Sequence, residues 1–158
     1  LVSEHIDLAI RAGALADSSL YARHLFDVRL KLFATPEYLA AMPAISDPAQ
    51  LSNCNLLTLK AMRTLNFQRA GIAHKIPIKA QTGNLQANEM NTLITFCIAG
   101  TGVALLPDVS VRSYATQGQL VEVLPDCLFD DVPIHALTSE KNPPARVRRL
   151  IEFLREQL

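Results

Sequence analysis

The chain has 158 residues, 49% of them hydrophobic and 19% charged, with nine prolines and six glycines; this mix supports a packed core and excludes a disordered or fibrous polymer. Fifteen basic residues balance fifteen acidic ones, so no net field draws the chain to nucleic acid and any DNA contact must come from elsewhere. Cys54, Cys97 and Cys127 form no CxxC pair and sit in apolar sequence, which suits a reducing compartment better than a disulfide scaffold.

The opening Leu1-Val2-Ser3-Glu4-His5 carries no cap and runs directly into apolar sequence, so it reads as a chain cut within a structural element, with neither a signal peptide nor a membrane span. Ile6-Asp7-Leu8-Ala9-Ile10 is a short apolar run closed by Arg11-Ala12-Gly13, a buried strand ending in a loop. Residues 25–33 alternate apolar and polar side chains, the period of one strand with a wet face, long enough to join two lobes. Thr35-Pro36 stops it and starts a short helix that Pro43 ends. Asp47 then caps a second helix start, with Gln50 as its capping-box partner. Residues 56–59, 67–69 and 75–80 read as short strands.

The clearest segment spans 83–107. Asn88 is the predicted N-cap, Glu89 suits the positive helix start, and Met90, Leu93, Ile94, Cys97 and Ile98 form one apolar stripe. Gly100 stops the helix, and Val103-Ala104-Leu105-Leu106, ended by Pro107, has the composition of a central parallel strand. Residues 108–116 read as a helix, 120–124 as a strand and 133–138 as a second joining strand. Asn142-Pro143-Pro144 opens a terminal helix with Val147, Leu150, Ile151, Leu154 and Leu158 on its buried face.

Most chemical motifs are absent. His5, His24, His74 and His135 are too far apart for a local metal site, and there is no GxSxG, GxxxxGK[ST] or GxGxxG. Gly100-Thr101-Gly102 ends a helix and enters a strand, the reverse of a dinucleotide fingerprint. Asp130-Asp131 reads as a solvated turn, and Arg146, Arg148 and Arg149, followed by Glu152 and Glu156, as the wet face of a helix. The residues suited to a small polar molecule are Arg11, beyond a buried strand, and Asn88, at a helix start. For Asn88 capping weighs as much as ligand contact; for Arg11 a solvated edge position does. Thr35 is a third candidate, with turn-making as its favoured role.

Asp7-Leu8-Ala9-Ile10-Arg11-Ala12-Gly13, then Asp17-Ser18-Ser19-Leu20 with Ala22-Arg23-His24-Leu25, strongly resembles the effector-binding domain of LysR-type transcriptional regulators. Leu32-Phe33-Ala34-Thr35-Pro36-Glu37-Tyr38-Leu39 is similar to that family's joining strand and "ASPAYL" segment, and Asp47-Pro48-Ala49-Gln50-Leu51 to its "P-DL" turn. The stretch from Ala99 to Asp108 resembles "AGLGIALLPD", Gly118 to Pro125 resembles "GRLVPVLP", and Pro143 to Leu154 its terminal "PPKVRAFIDFL".

The resemblance implies an α/β, two-lobed fold like that of type 2 periplasmic binding proteins. Residues 1–28 and 133–158 would form a first lobe, incomplete because its opening strands and helix have no counterpart here, and 29–132 the second. It implies a small-molecule effector in the cleft, lined or approached by Arg11, Thr35, Asn88, Glu89, Thr101 and Gly102. Arg11 and Asn88 would be polar anchors, Gly102 would allow close backbone approach, and Glu89 would either hold or repel the ligand. It further implies a cytoplasmic homodimer or tetramer, with DNA bound only through a helix-turn-helix missing from this chain, and no cofactor, metal, membrane contact or catalysis. Two rivals are a periplasmic solute-binding protein of similar fold and an α/β enzyme using Cys97 or a histidine, the latter lacking a base placed near any nucleophile.

Overall fold

The computed structural model describes residues 6–13, 19–78 and 85–157. Asp17, Ser18, Ala80, Gly83, Leu158 and the opening five residues, all used above, lie outside them. In chain order the elements are β1 (Ala9–Ala12), β2 (Tyr21–Val28), β3 (Leu30–Ala34), α1 (Pro36–Ala40), a 3-10 helix (Pro48–Asn53), β4 (Leu56–Leu59), β5 (Thr64–Arg69), β6 (Ile72–Pro77), β7 (Gln86–Ala87), α2 (Met90–Ile98), β8 (Val103–Pro107), α3 (Asp108–Thr116), β9 (Val121–Val123), β10 (Leu128–Phe129), β11 (Val132–Thr138) and α4 (Ala145–Gln157). The chain divides into two units: unit 1 is Leu1–Val28 with Asp131–Leu158, and unit 2 is Arg29–Asp130.

In unit 1, β11 lies between β1 and β2 and runs antiparallel to both. One face of this small sheet is apolar: Leu25, Ile134 and Ala136 pack against Val147 and Ile151 of α4. Leu154 is half-buried in the same cluster, but Leu150 is 46% exposed, so the predicted stripe on α4 is narrower than five residues. Three short strands offer α4 one row of contacts, and Leu150 falls to the side of it. The arginines of α4 serve local bonds: Arg146 pairs with Asp7 at 2.9 Å, Arg148 reaches the Pro143 carbonyl at 3.3 Å, and Arg155 donates to the His24 carbonyl.

Unit 2 rests on a five-stranded sheet in the order β7-β4-β8-β3-β9. β8 is central and buried, as its unbroken apolar run predicts, and it is parallel to β4 but antiparallel to β3. Leu93 and Cys97 of α2, Val111 of α3, and Phe33, Leu57, Ala104 and Leu106 of the sheet form one core, with Met90, Ile94 and Ile98 at its margin. The apolar stripe read from residues 90–98 is the face that α2 buries. Gly100 follows at φ +73°, the left-handed stop expected of a glycine there.

A second sheet of unit 2, β10-β5-β6, carries a two-residue hairpin turn at Ala70 and Gly71, both at positive φ, the geometry that lets antiparallel strands keep their twist. The predicted capping box at Asp47 and Gln50 is present, although the helix it opens is 3-10. The single strand expected over 25–33 is instead two strands. Arg29 separates them, and its carbonyl accepts from the Asp108 N–H at 3.0 Å, one residue beyond the Leu30–Pro107 pair of the β3–β8 ladder.

Candidate functional site

Strand direction sorts the predicted site residues of unit 2 into two groups. β4, β7 and β8 are parallel, so their carboxyl ends, Leu59, Ala87 and Pro107, share one edge of the sheet. β3 is antiparallel, with Leu30 beside Pro107 and Phe33 beside Ala104, which places Thr35 at the opposite, amino edge. Thr101 and Gly102 precede β8 and lie at that amino edge too, whereas Asn88 and Glu89 follow β7 at the carboxyl edge. The nine residues of α2 separate the groups, by roughly 13 Å at 1.5 Å per residue.

The amino edge is a hydrogen-bonded knot in which one buried acceptor, Asn55 Oδ1, has no partner among the described residues. Thr35, 5% exposed, caps α1 by accepting the Tyr38 N–H on Oγ1 at 3.2 Å. The Tyr38 hydroxyl accepts the Asn55 N–H at 2.9 Å, and Asn55 Nδ2 donates to the Thr101 carbonyl at 2.6 Å. Thr101 Oγ1 donates to the Phe96 carbonyl at 2.9 Å. A Cβ on Gly102 would stand 2.1 Å from the Asn55 carbonyl oxygen, so the absence of a side chain at Gly102 permits a close backbone approach within the chain itself. Thr35, Thr101 and Gly102 thus have structural partners that account for their chemistry. Asn55 and Tyr38 were missed by the sequence reading, because no local pattern marks a contact between residues 17 and 46 positions apart.

The carboxyl edge is open. Lys60 N–H donates to the Ala87 carbonyl at 2.8 Å and thereby extends the β4–β7 ladder to the foot of α2. Asn88 is not the N-cap. Glu89 is, in an extended conformation, and its side chain makes no capping hydrogen bond. Both side chains are exposed, and among the described residues no side chain accepts the first-turn N–H groups of α2, where the positive end of the helix dipole lies. In unit 1, Arg11 is exposed on β1, and its side chain makes no hydrogen bond among the described residues.

Two surface grooves in unit 2 involve neither group. One, of about 380 Å³, lies along the β5–β6 hairpin beside Phe67, Arg69 and His74, and the other, of about 440 Å³, between Pro43–Ile45 and the β9 edge. The first holds Arg69, whose guanidinium is already engaged by Asp126 at 2.6 Å and Asp47 at 3.3 Å.

Cys97 fails as a nucleophile on its surroundings. It is fully buried, its Sγ lies 3.3 Å from the Phe33 carbonyl, and burial pushes the thiol up to about 11. At pH 8 only on the order of one molecule in a thousand would carry the reactive thiolate. Iodoacetamide should therefore modify Cys97 in the folded chain about a hundredfold more slowly than in urea, with a rate that climbs as pH approaches the thiol's shifted value. Equal rates in folded and unfolded protein would contradict this burial.

The LysR substrate binding domain family matches residues 1–158. The HTH-type transcriptional regulator PtxR of Pseudomonas aeruginosa is 35% identical over 162 residues, covering 100% of this chain and 51% of its own length. CrgA of Neisseria meningitidis serogroup C, another HTH-type transcriptional regulator, is 33% identical over 160 residues, covering 100% of this chain and 53% of its own. Among solved structures, the CrgA regulatory domain superposes with a TM-score of 0.82 at 31% identity, covering 100% of this chain and 78% of that one. The full-length Vibrio cholerae virulence activator AphB gives 0.80 at 29% identity, covering 99% of this chain and 53% of that one. The chain spans about half the length of the curated relatives it matches.

Proposed function

The chain belongs to the LysR substrate binding domain family, and from that premise we propose that it is the effector-sensing part of a LysR-type regulator, binding a small molecule without transforming it. The relatives carry a helix-turn-helix name and are about twice as long as the matched region. DNA contact in the whole protein therefore falls to another segment, in keeping with the zero net charge here. We place the whole protein in the cytoplasm as a homodimer or tetramer, in which effector binding favours one of two arrangements and so alters the grip on DNA.

The observation that supports a binding site best is the open carboxyl edge of unit 2, where Asn88, Glu89 and the uncapped start of α2 follow the ends of parallel strands. Ligands of open α/β sheets favour such ends, and free helix N–H groups favour an acceptor-rich or anionic group. Asn88 supplies an amide that both donates and accepts, and we propose Arg11, exposed on β1 of unit 1, as a polar ligand contact in its own right. Glu89 suits a ligand that also carries a donor, since a purely anionic ligand would meet its charge.

A thermal-shift screen with small aliphatic and aromatic carboxylates and their amides tests this reading. A compound that raises the melting temperature should bind about tenfold more weakly to Asn88→Ala and to Arg11→Ala, the cost of losing a charge-assisted hydrogen bond. Unchanged affinity in both variants would remove these residues from the site.

A further inference from the structure

Strands β4 and β7 end in a polar corner. Their parallel register sets Thr58 beside Gln86 and Leu59 beside Ala87, and the bond from the Lys60 N–H to the Ala87 carbonyl carries the pairing on to Lys60 and Asn88. Successive side chains of a strand take opposite faces of the sheet. Leu57, Leu59, Leu85 and Ala87 pack in or against the α2 core, so Thr58, Lys60, Gln86 and Asn88 take the face away from α2. Deeper in the sheet that face is apolar and buried, with Leu56 beside Val103 and Leu32 beside Leu105.

Thr58 breaks this pattern. It is 2% exposed, and its Oγ1 is buried without a hydrogen-bond partner. Valine would fill the same space and leave no hydroxyl unanswered. The side chains of Lys60, Gln86 and Asn88, which follow it to the rim, are exposed and make no hydrogen bond or ion pair among the described residues. Arg63 brings a second cation to the corner, donating to the Lys60 carbonyl at 3.1 Å. The acidic residues that follow β7 and β8 fall on the other side. Glu89 comes one position after Asn88 in extended chain, and Asp108 opens α3, whose Val111 shares the core of α2.

We propose that this corner holds a carboxylate group of the effector, a role that rests on the carboxyl edge of unit 2 being the effector site. Lys60 is the counter-ion, the amides of Gln86 and Asn88 are donors at the rim, and the Thr58 hydroxyl is the donor beneath them. A carboxylate accepts several hydrogen bonds at once, and those from a cation are the strong ones. Lys60 and Gln86 are unbranched and exposed, so they can part to admit the group over Thr58. Alternation along the chain keeps Glu89 off this face, where it is left to meet a donor elsewhere on the same molecule.

Titration calorimetry of the intact protein with three carboxylates and their primary amides tests the proposal: phenylacetate, hexanoate and succinate, each against its amide. At least one carboxylate should bind about tenfold more tightly than its amide, the scale of one charge-assisted contact. Lys60→Gln should bring that ratio to about one without weakening the amide, and Lys60→Arg should keep it. Thr58→Val should weaken the carboxylate about threefold and leave the melting temperature of the ligand-free protein unchanged or higher. A lower melting temperature would assign the hydroxyl to the fold and overturn its place in the site. A carboxylate preference that survives Lys60→Gln but weakens in Asn88→Ala would overturn the corner and leave the effector site standing, as would a preference for the amides. No binding by any of the three pairs would overturn both.

Discussion

Gly102→Ala should destabilise unit 2 by several kcal/mol and leave little folded protein at room temperature. The new Cβ would sit 2.1 Å from the Asn55 carbonyl oxygen and 3.1 Å from both the Asn55 carbonyl carbon and Leu57 Cδ2. That carbonyl cannot swing away freely, because it accepts the Val103 N–H at 3.0 Å, the bond just beyond the Leu56–Val103 and Leu57–Ala104 pairs of the parallel ladder. Relief requires β4 and β8 to separate at their amino ends, where Leu57 and Ala104 are both fully buried. Overpacking of a rigid interior costs about 1–3 kcal/mol even where side chains can yield, and here the obstacle is backbone. Gly118→Ala is the informative companion. Its φ of +73° strains any L side chain, but nothing lies within 4 Å of the added carbon, so the cost should stay near about 1 kcal/mol. Urea unfolding of the two variants separates a conformational need for glycine from a need for space. A Gly102→Ala midpoint matching that of Gly118→Ala would refute the close approach at Asn55.

The same contact shows where sequence reasoning stops. Gly102 was legible as a glycine with a purpose, but the object it approaches is Asn55, 47 positions away in sequence and marked by no motif. The α2–β8 segment was readable because its logic is local: an apolar stripe at helical spacing, a left-handed glycine and a β-run closed by proline all fall within residues 90–107. Sorting the site residues was not local. Whether Thr35 shares an edge with Thr101 or with Asn88 depends on which strand β3 pairs with, and in which direction, and that is fixed by its antiparallel pairing with β8. Hydrophobic period does not encode strand order. The cap shifted by one residue for a smaller reason. The chain stays extended through Glu89, at φ −128° and ψ 141°, so Asn88 belongs to the approach from β7 and not to the helix start.

Leu93→Ala should cost about 2–5 kcal/mol, and its consequence should reach the candidate site. Leu93 is 1% exposed and lies in the cluster formed with Leu57, Cys97, Ala104 and Leu106. It belongs to the first turn of α2, and its N–H closes that turn on the Glu89 carbonyl at 3.4 Å. The side chain is therefore the nearest buried anchor for Asn88 and Glu89, since Met90 is only half-buried and the cap contributes no side-chain hydrogen bond. Truncation removes the transfer free energy of three carbons and leaves a cavity under the first turn of α2, where Met90 packs only at the margin of the core. The start of α2 should then fray, so that hydrogen exchange at residues 90–93 speeds up more than global unfolding alone would produce. Leu150→Ala on α4, at a side chain 46% exposed, should shift stability by no more than about 0.5 kcal/mol and serves as the reference. If Leu93→Ala lost stability without this local acceleration, the start of α2 would be held by something other than its core packing. Asn88 and Glu89 would then owe their placement to the β7 side of the junction.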